Sequence, residues 1–112
     1  MTNLEKLRKL AIQPTLESWE GEVADEHLAC CRAILREAAQ ALLSSAPQAD
    51  DAKVSAAIAH AVEQLNIANA AGGEPFIYTI EREDLCDYLG QLGSAAGLKD
   101  EQIDAALAGR DW

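Results

Sequence analysis

Two long stretches of the chain repeat one spacing, and that repeat limits the fold more than any other feature. From about residue 23 to 45, Leu28, Cys31, Leu35, Ala38 and Leu42 alternate steps of three and four, with Cys30, Ile34 and Ala41 widening the apolar stripe. From about 51 to 71, Val54, Ile58, Ala61, Leu65 and Ala68 do the same, with Val62 beside them. Such steps keep side chains on one face of a helix of 3.6 residues per turn, whereas a half-buried strand alternates at two. Ser44-Ser45-Ala46-Pro47-Gln48 breaks the first stretch, Asp50 or Asp51 can cap the second, and Gly72-Gly73 can end it. A short connection between long helices makes them antiparallel neighbours. The width of the first stripe implies contact with more than one neighbour.

The remaining segments must pack on that pair. Thr2-Asn3-Leu4-Glu5 has the form of a capping box, Leu4, Leu7 and Leu10 with Ala11 line one face after it, and Pro14 ends the segment. Residues 15–22 form a connector with room for one helical turn, anchored by Trp19. A further helix is predicted over 80–96, capped by Thr79, with Leu85, Leu89, Leu92 and Ala96 as its seam and Gly97 as its stop. The last, about 100–108, uses Ile103 and Leu107, ends at Gly109, and leaves Trp112 to fold back onto the core. Only Phe76-Ile77-Tyr78-Thr79-Ile80 has β character, and no second such run exists to pair with it. It therefore packs as an extended linker or pairs outside its own chain. Of 55 apolar residues 22 are alanine and five are aromatic, so the helices must approach closely around Leu and Ile. The expected fold is all-α: a compact bundle of four to five helices with a short extended segment near 75–80, and a single helical domain over 1–112.

Charge and punctuation exclude several functions. Nine Lys and Arg stand against 19 Asp and Glu, a net charge of −10, which disfavours nucleic acid because that affinity rests on cations neutralising phosphates. No apolar run approaches the roughly 18 residues of a membrane span, and the charged N-terminal stretch lacks a signal peptide's apolar segment. Three cysteines without a framework spacing fit a reducing, cytoplasmic setting. Cys30 and Cys31 are adjacent, point about 100° apart on a helix and make poor partners for each other.

The chemistry-bearing candidates are sparse. His27 and Cys31, one turn apart, could start a metal site with Cys86 or His60, but no C-x-x-C or H-E-x-x-H accompanies them; the structural reading makes His27 a surface group and Cys31 a core filler. A Cys86–His60 pair could in principle make a nucleophile, yet Asp84 and Asp87 beside Cys86 would raise its thiol pKa. Ser44, Ser45 and Ser94 lack a nucleophile-elbow context, Gly72-Gly73 ends a helix where a phosphate loop would precede one, and no calcium-loop pattern occurs. No catalytic residue, metal or cofactor is expected.

Two patches remain. Glu17, Glu20, Glu22, Asp25 and Glu26 place five carboxylates in ten residues. They read either as a solvated connector and helix start or as a surface that steers a basic partner. Asn66, Asn69, Tyr78 and Arg82 read either as supports for the 70–80 loop or as a groove for a partner segment or small ligand. The expected function is a non-enzymatic, protein-binding module, for example an inhibitor or immunity-type protein covering a basic partner. The alternative is a structural module dimerising through 76–80, and a small metal- or thiol-dependent enzyme ranks last.

Overall fold

Among the described residues there are five α-helices: α1 Leu4–Ile12, α2 Asp25–Ser45, α3 Asp51–Ala71, α4 Thr79–Ala95 and α5 Asp100–Leu107. A 3₁₀ turn, Glu17–Trp19, lies between α1 and α2. The computed structural model describes residues 4–45, 50–71 and 73–112, and among them there is no strand. No helix of the described residues is long and apolar enough to cross a membrane. Thr2 and Asn3 of the capping box, Ala46-Pro47-Gln48 of the break, and Gly72 lie outside the described residues.

The α2–α3 pair makes the most extensive contact; α1 packs on α2 and α4, and α5 on α3 and α4. Leu35, Ile58, Leu65, Leu85, Leu89 and Leu92 are fully buried where these faces meet. The α2 stripe is narrower than its spacing suggested: Cys30 is exposed, and Ala41 is exposed at the border of a cleft between α2 and α3. On α3 the inward position expected for Ala68 is shared with Asn69, which is buried while Ala68 is only half-buried.

Helix ends follow local chemistry. The Asp50 carboxylate accepts the Lys53 N–H at 2.9 Å, so Asp50 caps α3. Helix α4 starts earlier than the sequence suggested: Thr79 is its first residue and not its cap. Tyr78 takes the cap position with an extended backbone, and Glu81 accepts the Tyr78 N–H at 3.0 Å. Thr79 and Ile80 are thus helical, which shortens the extended segment. Gly97, at φ +101°, ends α4 in a Schellman turn, where Leu98 N–H donates to Gly93 O at 2.9 Å and Gly97 N–H to Ser94 O at 3.0 Å.

Polar ties then join distant segments. Trp19, 1% exposed, donates its indole N–H to Asp84 at 3.0 Å, which docks the 3₁₀ turn on α4. The chain enters that turn through Leu16 in the left-handed region, φ 57°. Tyr88 OH donates to Leu10 O at 2.7 Å between α4 and α1. Beyond α5, Asn66 donates to Gly109 O at 3.0 Å and accepts the Asp111 N–H at 2.9 Å, holding the segment that buries Trp112.

Candidate functional site

The segment between α3 and α4 is shaped by one buried amide. Asn69 Oδ1 accepts the N–H groups of Phe76 at 2.8 Å and Ile77 at 3.0 Å. Ile77 drops into the core, 3% exposed, and alternation along an extended backbone turns its neighbours the other way. Phe76 stacks on His27 of α2, ring centroids 4.1 Å apart and planes 8° from parallel. Tyr78 and Ile80 stand out at 61% and 65% exposure.

The stacked rings form part of a groove of about 480 Å³. Glu22, Val23 and Ala24 border it from the α2 side, and Glu74, Pro75, Tyr78 and Glu81 from the other. Three carboxylates from separate parts of the chain thus line the groove together with the stacked rings, and the lining contains no Lys or Arg. The Glu81 side chain is oriented by the Tyr78 N–H it accepts. This arrangement suits a cation on an apolar stem: carboxylates take the charge while the ring faces and Tyr78 cover the stem.

The structure divides the residues that the sequence singled out. Of the five acids, Glu22 borders the groove. Glu20 pairs with Arg32 at 3.1 Å, and Arg32 also donates to Thr15 O at 2.9 Å. Glu17 borders a separate cleft with Asp84 and Asp87, while Asp25 and Glu26 are exposed in the first turn of α2. Of the second patch, Tyr78 borders the groove and Arg82 is not among its lining residues. Asn69 Oδ1 accepts backbone N–H groups of the 70–80 segment, whereas Asn66 bonds to residues 109 and 111 and not to that loop. His27, Phe76, Glu74 and Glu81 were not grouped by the sequence. The available signal was Glu81 three residues after an extended Tyr78; nothing local announces a stack between residues 27 and 76.

The remaining chemical candidates come apart. Cys31 is fully buried, and burial, aided by Cys30, pushes its thiol from 9.0 up to about 12, a poor state for a metal ligand. Its neighbour His27 turns its ring to Phe76. Among the described residues no group of three or more His, Cys, Asp or Glu could hold a metal ion. The Cys86 thiol is raised, as the sequence suggested, but the leading cause is burial, with Arg110 and Arg82 pulling the other way. Asp84 is turned to Trp19, and Asp87 accepts from Gln91 at 2.8 Å. His60 borders a cleft between α2 and α3, while Cys86 borders one between α4 and α5, so the two are not brought together. No family model, curated protein or solved structure matches this chain.

Proposed function

We propose that the protein is a non-enzymatic binding module whose groove around His27 and Phe76 receives a basic segment of a protein partner. The observation that carries this reading is the set Glu22, Glu74 and Glu81 around a stacked ring pair and an exposed Tyr78, on a chain of net charge −10. Like charge gathered at a cleft raises the encounter rate with an opposite partner, and an exposed tyrosine is a common interface anchor. An inhibitor covering a basic site is one form of such a module. Self-association through 76–80 is the second reading. The exposed Tyr78 and Ile80 favour it, but the N–H groups of residues 76, 77 and 78 already have acceptors within the chain. Side chains rather than a strand ladder would have to carry that dimer.

The test is capture from lysate of the native cell at low salt, with the wild type, Glu22→Gln/Glu74→Gln/Glu81→Gln and Tyr78→Ala as baits. A control of equal charge change, Asp100→Asn/Glu101→Gln/Asp104→Asn, lies on α5 away from the groove. The expected result is a basic protein retained by wild type and control, lost from both groove variants, and released by added salt. Equal capture by all four baits, or retention indifferent to salt, would overturn the reading.

A further inference from the structure

In a chain with ten more acids than bases, Arg32 forms an ion pair with Glu20, while Arg82 and Arg110 are among the arginines that form none with a described residue. Fold geometry brings them together. Helices α4 and α5 are joined by the short 96–99 turn, with Ile103 seated against Gly93 and Gly90. Arg82 lies one helical turn before Cys86 on α4, Cys86 borders the α4–α5 cleft with Gly90 and Ile103, and past the end of α5 at Leu107 the chain continues as the non-helical stretch 108–112. That stretch cannot swing away, since Asn66 holds its backbone at Gly109 and Asp111. Arg110 lies 6.0 Å from the Trp112 ring centre and is steadied by donating to Leu107 O at 3.1 Å. Both guanidinium groups lie near enough to lower the Cys86 thiol against the larger effect of burial.

Two buried side-chain N–H groups have no acceptor among the described residues, Arg82 Nε on α4 and Trp112 Nε1 beside Arg110. Trp112 is 7% exposed, and a buried donor left unpaired is costly enough that native structures almost always supply a partner. We propose that Arg82, Arg110 and the Trp112 indole form a binding site for the oxyanion of a small ligand, a carboxylate or a phosphate. Guanidinium forks match such oxygens with paired N–H bonds, and the indole adds a single neutral donor. This site is separate from the acidic groove and of opposite charge preference, so it does not rest on the binding function proposed above.

The two tryptophans supply a built-in comparison, because the Trp19 indole is already bonded to Asp84. In ¹H–¹⁵N spectra, with the indole signals assigned from Trp112→Phe, sodium phosphate and sodium acetate are titrated against sodium chloride of equal ionic strength. The expected result is a saturable shift of the Trp112 indole with at least one oxyanion and a stationary Trp19 indole. Saturation by phosphate alone, acetate alone or both identifies which oxyanions the site accepts. Arg82→Gln and Arg110→Gln should each weaken binding at least tenfold, with Arg82→Lys intermediate. Should Arg82→Gln fail to fold, Arg110→Gln alters an exposed residue and carries the comparison. A Trp112 shift no larger than chloride produces, or one undiminished in the folded arginine variants, would overturn the site.

Discussion

A single carboxamide oxygen sets the shape of the groove, which makes Asn69 the residue whose loss should be felt furthest. Asn69→Ala leaves two backbone donors facing the interior without an acceptor. The expected cost is about 2–4 kcal/mol in urea unfolding, with the His27–Phe76 stack lost as the segment loosens. Asn69→Asp keeps an oxygen toward both donors and should lose less. Position 69 also shows what the sequence could and could not convey. The spacing put Ala68 on the apolar seam, so Asn69 stood out only as one of two asparagines able to support the 70–80 loop. What it held was not legible, because the acceptor serves a segment that has no helical or strand period of its own. Cys31 offers a second test at this scale. Below pH 9.0 folded and unfolded chains both keep the thiol proton, so the group adds no pH dependence. Between 9.0 and about 12 the unfolded chain releases it while the folded chain holds it, so stability should fall as pH rises through that window. Cys86 and Tyr88 are raised as well and act with the same sign. Cys31→Ala should therefore flatten the alkaline limb of a urea-denaturation series without abolishing it.

The α4–α5 contact rests on glycines that look alike in sequence and differ in space. A Cβ at Gly90 would meet only Ile103 Cγ2, at an ordinary 3.8 Å. At Gly93 it would stand 3.0 Å from Ile103 Cγ1 and 3.4 Å from Ile58 Cδ1. Ile103 is β-branched and close-packed, so it cannot swing aside cheaply. Gly90→Ala should stabilise by about 0.5–1 kcal/mol through helix propensity, and Gly93→Ala should destabilise by about 1–2 kcal/mol through overpacking. Opposite shifts in thermal midpoint check both. The helices themselves were legible because spacing and capping are local: Asp50, Gly97 and the leucines of α4 do what their positions imply. The start of α4 was not, since β-favouring Thr79 and Ile80 are drawn into the helix once Tyr78 and Glu81 close its first turn. Propensity yields there to a cap formed by the backbone.

Across the whole molecule, charge is sorted by tertiary structure more than by sequence. The acidic run between residues 17 and 26 looked like one patch, but folding pairs Glu20 with Arg32, turns Glu17 to another cleft and recruits Glu74 and Glu81 from beyond α3. Half of the candidate groove was therefore invisible along the chain, because its members meet only after α2 and the 73–78 segment are side by side. The two arginines of the α4–α5 corner are likewise 28 positions apart and converge only through the return of α5.

The bond from Tyr88 to Leu10 closes a loop of 78 positions, and the bonds from Ser18 and Trp19 to Asp84 close loops of 66 and 65. By contrast α2 and α3 meet across a connection of five residues, 46–50. Chain-closure entropy then orders assembly in time: the hairpin can form on the short timescale of local contacts, while the N-terminal segment must search for α4 after most of the chain has collapsed. Truncations at Ile58 and Leu35 should slow refolding. Tyr88→Phe, which removes only the hydroxyl, should leave refolding nearly unchanged and hasten unfolding severalfold, by about 1 kcal/mol of lost native stability. The docking of α1 would then govern how long the folded state lasts, not how quickly it is reached.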